Sequence, residues 1–139
     1  MTGEQSGVKP LKETAWEDEA SFPEALLSKV FIKHINGPLF FGSTSDFQQL
    51  IKQIPATTTT IIIRLDKMQY IDQSGLYALE DVLLNLKKEN KTILFVNLQR
   101  QPRNMMERIG ILPNLVGEEF VFSNFQNCLQ WIQQNNAYN

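Results

Sequence analysis

The sequence predicts an α/β fold around a central, mostly parallel β-sheet, and three observations carry that prediction. Thr60-Ile61-Ile62-Ile63 and Ile93-Leu94-Phe95-Val96 are short apolar runs without polar alternation, the pattern of strands covered on both faces. Between them, from Ser74 to about Glu89, Leu76, Leu79, Val82, Leu83 and Leu86 form one stripe of a helix, with Glu80, Asp81, Lys87 and Lys88 on the other side. A strand, helix, strand unit of this length implies a right-handed crossover between parallel neighbours.

The other elements follow in order. Val30-Phe31-Ile32-Lys33-His34-Ile35 is rich in β-branched and aromatic residues and ends at Asn36-Gly37-Pro38, a strand followed by a turn. Leu39-Phe40-Phe41 reads as a short second strand closed by Gly42. Ser45 and Gln48 fit a capping box, and Phe47, Leu50, Ile51 and Ile54 give a helical stripe that Pro55 ends. Thr57 to Leu65 is the central strand, and Thr92 to Leu98 is the strand after the long helix. Pro102 suits the first turn of another helix, with Met105, Met106 and Ile109 inward and Gly110 as its stop. Glu118 to Phe122 is expected to be an edge strand, its two glutamates discouraging further pairing. Ser123 and Gln126 form a second capping box, and Phe125, Cys128, Leu129 and Ile132 line the last helix. The expected architecture is a mixed, mostly parallel sheet with about four helices.

Organisation along the chain follows from charge. Residues 1–27 hold six acids against two lysines with few aliphatics, so they read as an acidic linker or tail, partly ordered around Trp16 and Phe22. Residues 28–135 form the folded domain and 136–139 a polar tail. A formal net charge of −2 gives no basic footprint, which argues against nucleic acid as a partner. The single cysteine, Cys128, excludes an internal disulfide and a multi-cysteine metal site, and agrees with a reducing compartment. No apolar run approaches the ~20 residues needed to span a bilayer.

Motifs for catalysis are absent. There is no phosphate-binding glycine loop, no cofactor signature and no metal-ligand spacing. His34, the only histidine, falls inside a strand and reads as a packing or surface residue. Arg100, Arg103 and Arg108 gather around the third helix and read as its solvated face. The candidate site is the start of the long helix. Asp72 is placed to accept hydrogen bonds from first-turn N–H groups, and Gln73, Ser74 and Gly75 make up that turn. Ser74 offers a hydroxyl, and Gly75 has no side chain to bar an approaching partner. The helix dipole points its positive end the same way, which suits an anion or a phosphorylated side chain as well as a protein surface.

Two segments give the chain a resemblance. Ile71-Asp72-Gln73-Ser74-Gly75-Leu76, in this order of elements, resembles the STAS domain, found in bacterial anti-sigma factor antagonists and as the cytoplasmic C-terminal domain of SulP anion transporters. Gly37-Pro38-Leu39-Phe40-Phe41-Gly42-Ser43 is similar to the SulP branch. The resemblance covers about residues 29 to 135. It implies a regulatory, non-enzymatic domain of a sulfate- or bicarbonate-type transporter at the cytoplasmic side of the membrane, without a cofactor. Implied partners are the membrane domain of the same transporter, a second STAS domain, or a cytosolic regulatory protein. In the antagonists the kinase-targeted hydroxyl directly follows the Asp. Here that position is Gln73, so a free-standing antagonist would need phosphorylation at Ser74. A sensor of a small anion or nucleotide at the helix start is the remaining alternative.

Overall fold

The computed structural model describes residues 13–136. Four strands, β1 (Val30–His34), β2 (Thr60–Arg64), β3 (Thr92–Val96) and β4 (Val121–Phe122), lie in the order β1-β2-β3-β4. All of their pairings are parallel, so among the described residues the expected mixed, mostly parallel sheet has no antiparallel pair. Five helices accompany it: α1 (Thr44–Gln48), α2 (Leu50–Gln53), α3 (Gln73–Lys88), α4 (Arg100–Arg108) and α5 (Phe125–Asn136).

The triple isoleucine divides the core. Ile61 and Ile63 join Phe47, Leu50, Leu79, Leu83 and Phe95 on one face of the sheet, and Ile62 joins Leu94, Val96, Phe125, Cys128 and Ile132 on the other. This is the two-residue period of a strand buried on both sides. Burial pushes the Cys128 thiol up to about 12, so it packs as a small apolar side chain.

Several expected elements change form for local reasons. Leu39 makes one parallel bridge, to Ile71, and no strand follows. The Phe40 N–H donates to Ser43 Oγ at 3.0 Å, and the Ser43 N–H to the Phe40 carbonyl at 2.8 Å, which turns the chain at once. The helix expected around Phe47 and Ile54 divides at Gln49, whose N–H is shared between the Ser45 and Asp46 carbonyls, so the joint tightens towards 3-10 geometry. Ser45 lies inside α1 and does not cap it. In the last helix Asn124, not Ser123, supplies the cap, accepting from the Asn127 N–H at 2.8 Å. The expected edge strand shrinks to Val121 and Phe122, because Glu118–Phe120 is a 3-10 turn.

The acidic lead-in, read as a linker or tail, has structure where it is described. Glu17–Glu19 and Glu24–Leu26 are 3-10 turns, and Phe22 and Leu26 pack on the α5 side of the core. Residues 1–12, and the polar tail beyond Asn136, lie outside the described residues.

Candidate functional site

The start of α3 is fixed by backbone contacts. Asp72 is extended, and its Oδ1 accepts from the Gly75 N–H at 2.8 Å, while its carbonyl accepts from the Leu76 N–H at 2.8 Å. This is the cap expected from sequence. Its Oδ2 also faces the Phe41 N–H at 3.4 Å, tying the cap to the turn after β1. The Leu39 N–H donates to the Tyr70 carbonyl at 3.0 Å and the Asp72 N–H to the Leu39 carbonyl at 3.1 Å. The Gln101 amide holds the same segment from the far side, its Oε1 accepting from the Ile71 N–H at 2.9 Å and its Nε2 donating to the Ile71 carbonyl at 3.0 Å.

Gly75 serves this arrangement in a way the sequence reading missed. It is buried, and a Cβ there would run into the Leu39 carbonyl oxygen. The glycine therefore lets Leu39 close against the helix, and does not open a surface for a partner. Gln73 and Ser74 are exposed, with Gln73 Nε2 reaching Tyr77 Oη at 3.3 Å.

Around these two polar residues the surface is unusually apolar. Phe41 is 79% exposed, and Phe40, Tyr70 and Tyr77 are each about half exposed. Tyr70 and Phe40 flank the Leu39–Ile71 bridge, and Tyr77 stands one turn beyond Gln73. A shallow groove between α3 and α4, lined by Gln73, Tyr77, Met105 and Arg108, continues the patch. Arg103 turns aside to pair with Glu118 at 3.0 Å. Phe40 and Phe41 were legible as a signature but read as strand residues, and their exposure follows from the Ser43 turn.

The STAS domain family model matches residues 26–128. The chain belongs to the STAS domain family. It is 29% identical over 87 residues to YvdB of Bacillus subtilis (strain 168), a protein provisionally assigned as a sulfate transporter. That match takes in 62% of this chain but only 16% of YvdB, so the chain spans a small part of that relative's length. A crystal structure of a sulfate transporter family protein from Wolinella succinogenes superimposes with a TM-score of 0.73 at 25% identity, covering 86% of this chain and 93% of that one. The SulP transporter STAS domain from Vibrio cholerae gives 0.70 at 22% identity, with 86% and 90% covered, and so shares the fold. No helix among the described residues is long and apolar enough to cross a membrane.

On the opposite face of the sheet the STAS domain carries a second constellation, at the same carboxyl end of the strands. His34 and Arg64 are register partners on β1 and β2, and both are buried. The Arg64 guanidinium meets Asp18, Glu19 and Asp66 at 2.6 to 3.0 Å and stacks 4.6 Å from the Trp16 ring centre. His34 Nδ1 faces Glu13 Oε1 at 2.9 Å, and Nε2 faces Glu19 Oε2 at 2.7 Å. Lys33 Nζ pairs with Glu13 and Asp46. Burial alone would lower the His34 pKa, but the two carboxylates outweigh it and hold it above its ordinary value. Burial would likewise raise Glu13, and hydrogen bonds from His34 with the Lys33 charge hold it below. The bonds from Arg64 keep Asp18 low. Sequence reading missed this cluster, although an arginine ending a triple-isoleucine strand, with four acids at 13–19 to answer it, was the available signal.

No group of three or more His, Cys, Asp or Glu among the described residues has the geometry of a metal site.

Proposed function

We propose that this chain is the regulatory, non-catalytic STAS part of a SulP-type anion transporter of the sulfate or bicarbonate class. It acts by contact between the surface around the Asp72–Gly75 helix start, where Gln73 and Ser74 are exposed over a buried Gly75, and the membrane part of the same protein, on the cytoplasmic side. The observation that carries this reading is the exposed aromatic set Phe40, Phe41, Tyr70 and Tyr77 around a rigidly held helix start. Large apolar groups gathered on a surface mark an interaction site. Gln73 at the position after Asp72 removes the hydroxyl that a phosphorylation switch of the antagonist type would use. The similarity to YvdB and to the Wolinella protein supports the transporter class.

The test is anion uptake by cells producing the complete gene product, as wild type and as Phe41→Glu, with protein abundance measured alongside. Phe41 is almost wholly exposed, so the variant should fold. Uptake of sulfate or bicarbonate by the wild type, changed in Phe41→Glu at equal abundance, is the expected result. Equal uptake by both removes the contact surface, and no uptake by either removes the transporter reading.

A further inference from the structure

We propose that residues 13–22 form a strap over the carboxyl end of β1 and β2, held shut by the charged form of His34 and released as pH rises. The proposal rests on geometry. A neutral imidazole has one N–H and one lone pair, whereas carboxylate oxygens accept only. Both His34 nitrogens face carboxylate oxygens that already accept other bonds: Glu13 Oε1 takes the His34 backbone N–H at 2.8 Å, and Glu19 Oε2 takes Arg64 Nη1 at 3.0 Å. Only the imidazolium can donate to both. In the neutral form one lone pair points at a carboxylate in a buried place, where repulsion is little screened.

The surroundings sharpen the effect. Facing the cluster are Glu13, Asp18 and Glu19 from the strap, Lys33 from β1, Arg64 from β2, Asp66 and Lys67 from the following loop, and Asp46 from α1. Cys128 from α5 adds a neutral thiol. With His34 charged, five acids meet four cations, and loss of its proton leaves five against three. Beyond these ion pairs the strap offers Trp16, stacked on His34 at 4.6 Å between ring centres and lying under the Arg64 and Lys67 cations, and Phe22 against Phe125 at 6.2 Å.

The sign follows from the raised pKa of His34. Its contribution is complete below the ordinary value of 6.5 and is lost as pH rises through the higher native value. The strap lies before the family-matched span, which starts at residue 26. A freed segment of this length reaches up to about 35 Å, enough to change how far the domain stands from anything joined before it.

The test uses the whole 139-residue chain and does not depend on the transport reading. With one histidine present, its ring nitrogens can be followed by NMR across pH without ambiguity. Hydrogen exchange of residues 13–22, corrected for intrinsic rates, is measured on the same samples. The expected result is a doubly protonated ring near neutrality. Exchange in 13–22 should then rise several-fold through the His34 titration, while β2 and β3 stay protected. His34→Gln should show the fast exchange at every pH. If that variant does not fold, the wild-type titration decides alone. A neutral ring under a protected strap, exchange that is flat through the titration, or loss of β2 and β3 together with the strap would each overturn the proposal.

Discussion

The two faces at the carboxyl end of this sheet solve different problems with different means. On the α3 face the chain is held by backbone: Leu39 against Ile71 and Asp72, Gln101 on Ile71, and a glycine that lets the carbonyl approach. On the α5 face it is held by buried charge, with His34 and Arg64 answered by acids from a segment far away in sequence. The backbone-held face leaves its side chains free, and they are apolar and exposed. The charge-held face spends its buried side chains on each other. The proposed contact surface and the proposed pH-sensitive joint thereby lie on opposite faces of one sheet.

Breaking the charged face should have the largest effect. Arg64→Leu leaves Asp18 and Asp66 without their cation and Glu19 with His34 alone, and removing one member of a buried pair typically destabilises by about 3–5 kcal/mol. Denaturant melting of the full chain checks this. A loss below about 1 kcal/mol would mean that the acids regain water as the strap lifts, so that closing the strap adds little to the stability of the sheet. The same face should fail in acid as well as in alkali. Glu13 and Asp18 have lowered pKa values, so their contribution is present above the ordinary 4.5 and 3.8 and is lost as pH falls through the native values. Stability measured against pH should fall on the acid side, and Arg64→Leu should flatten that fall. An unchanged acid limb in the variant would separate Asp18 from Arg64.

The backbone-held face should break at Gly75. In Gly75→Ala the new Cβ meets the Leu39 carbonyl, which is backbone and cannot swing aside. Overpacking of this kind destabilises by about 1–3 kcal/mol, and it should do so equally at pH 5 and pH 8 because the clash is between a methyl group and a backbone carbonyl. Melting curves at pH 5 and pH 8 test both halves. A pH-dependent loss would show that the two faces are coupled through the sheet.

How much of this was legible depends on whether the signal was local. The central strands and α3 declared themselves through uninterrupted apolar runs and a helical stripe, both confined to a few turns of chain. The Asp72 cap was legible for the same reason, since Asp72 and Gly75 are three residues apart. Leu39–Gly75 and His34–Glu19 were not, because each joins segments whose proximity only the folded sheet creates. Residues 1–27 hold few aliphatics and so read as a linker or tail. The hold of residues 13–27 on the sheet comes instead from acids and Trp16, a pattern whose meaning depends on Arg64 being buried. The aromatic patch was hidden by the opposite error: Phe40 and Phe41 look like strand residues, and one serine at position 43 turns them outward.

The smallest effect on stability should carry the largest information about function. Asp72→Ala removes the acceptor of the Gly75 N–H and loosens the link to Phe41, for a loss of about 0.5–2 kcal/mol. It disturbs fold and surface together, so a functional change in that variant is ambiguous. Ser74→Asp separates the two. Ser74 is exposed in the first turn of α3, and that turn contains no acid. A carboxylate there meets the positive end of the helix dipole, an interaction favourable by about 0.3–1 kcal/mol, so melting should move slightly upward or not at all. The same charge stands on the exposed first turn of α3, three residues before the exposed Tyr77, where an apolar partner would have to strip its water to dock. Anion uptake by the complete gene product should therefore change while abundance and melting stay level. Level uptake together with level melting would reduce Asp72 to Gly75 to an ordinary helix start, and would leave the aromatic patch needing a partner that does not touch Ser74.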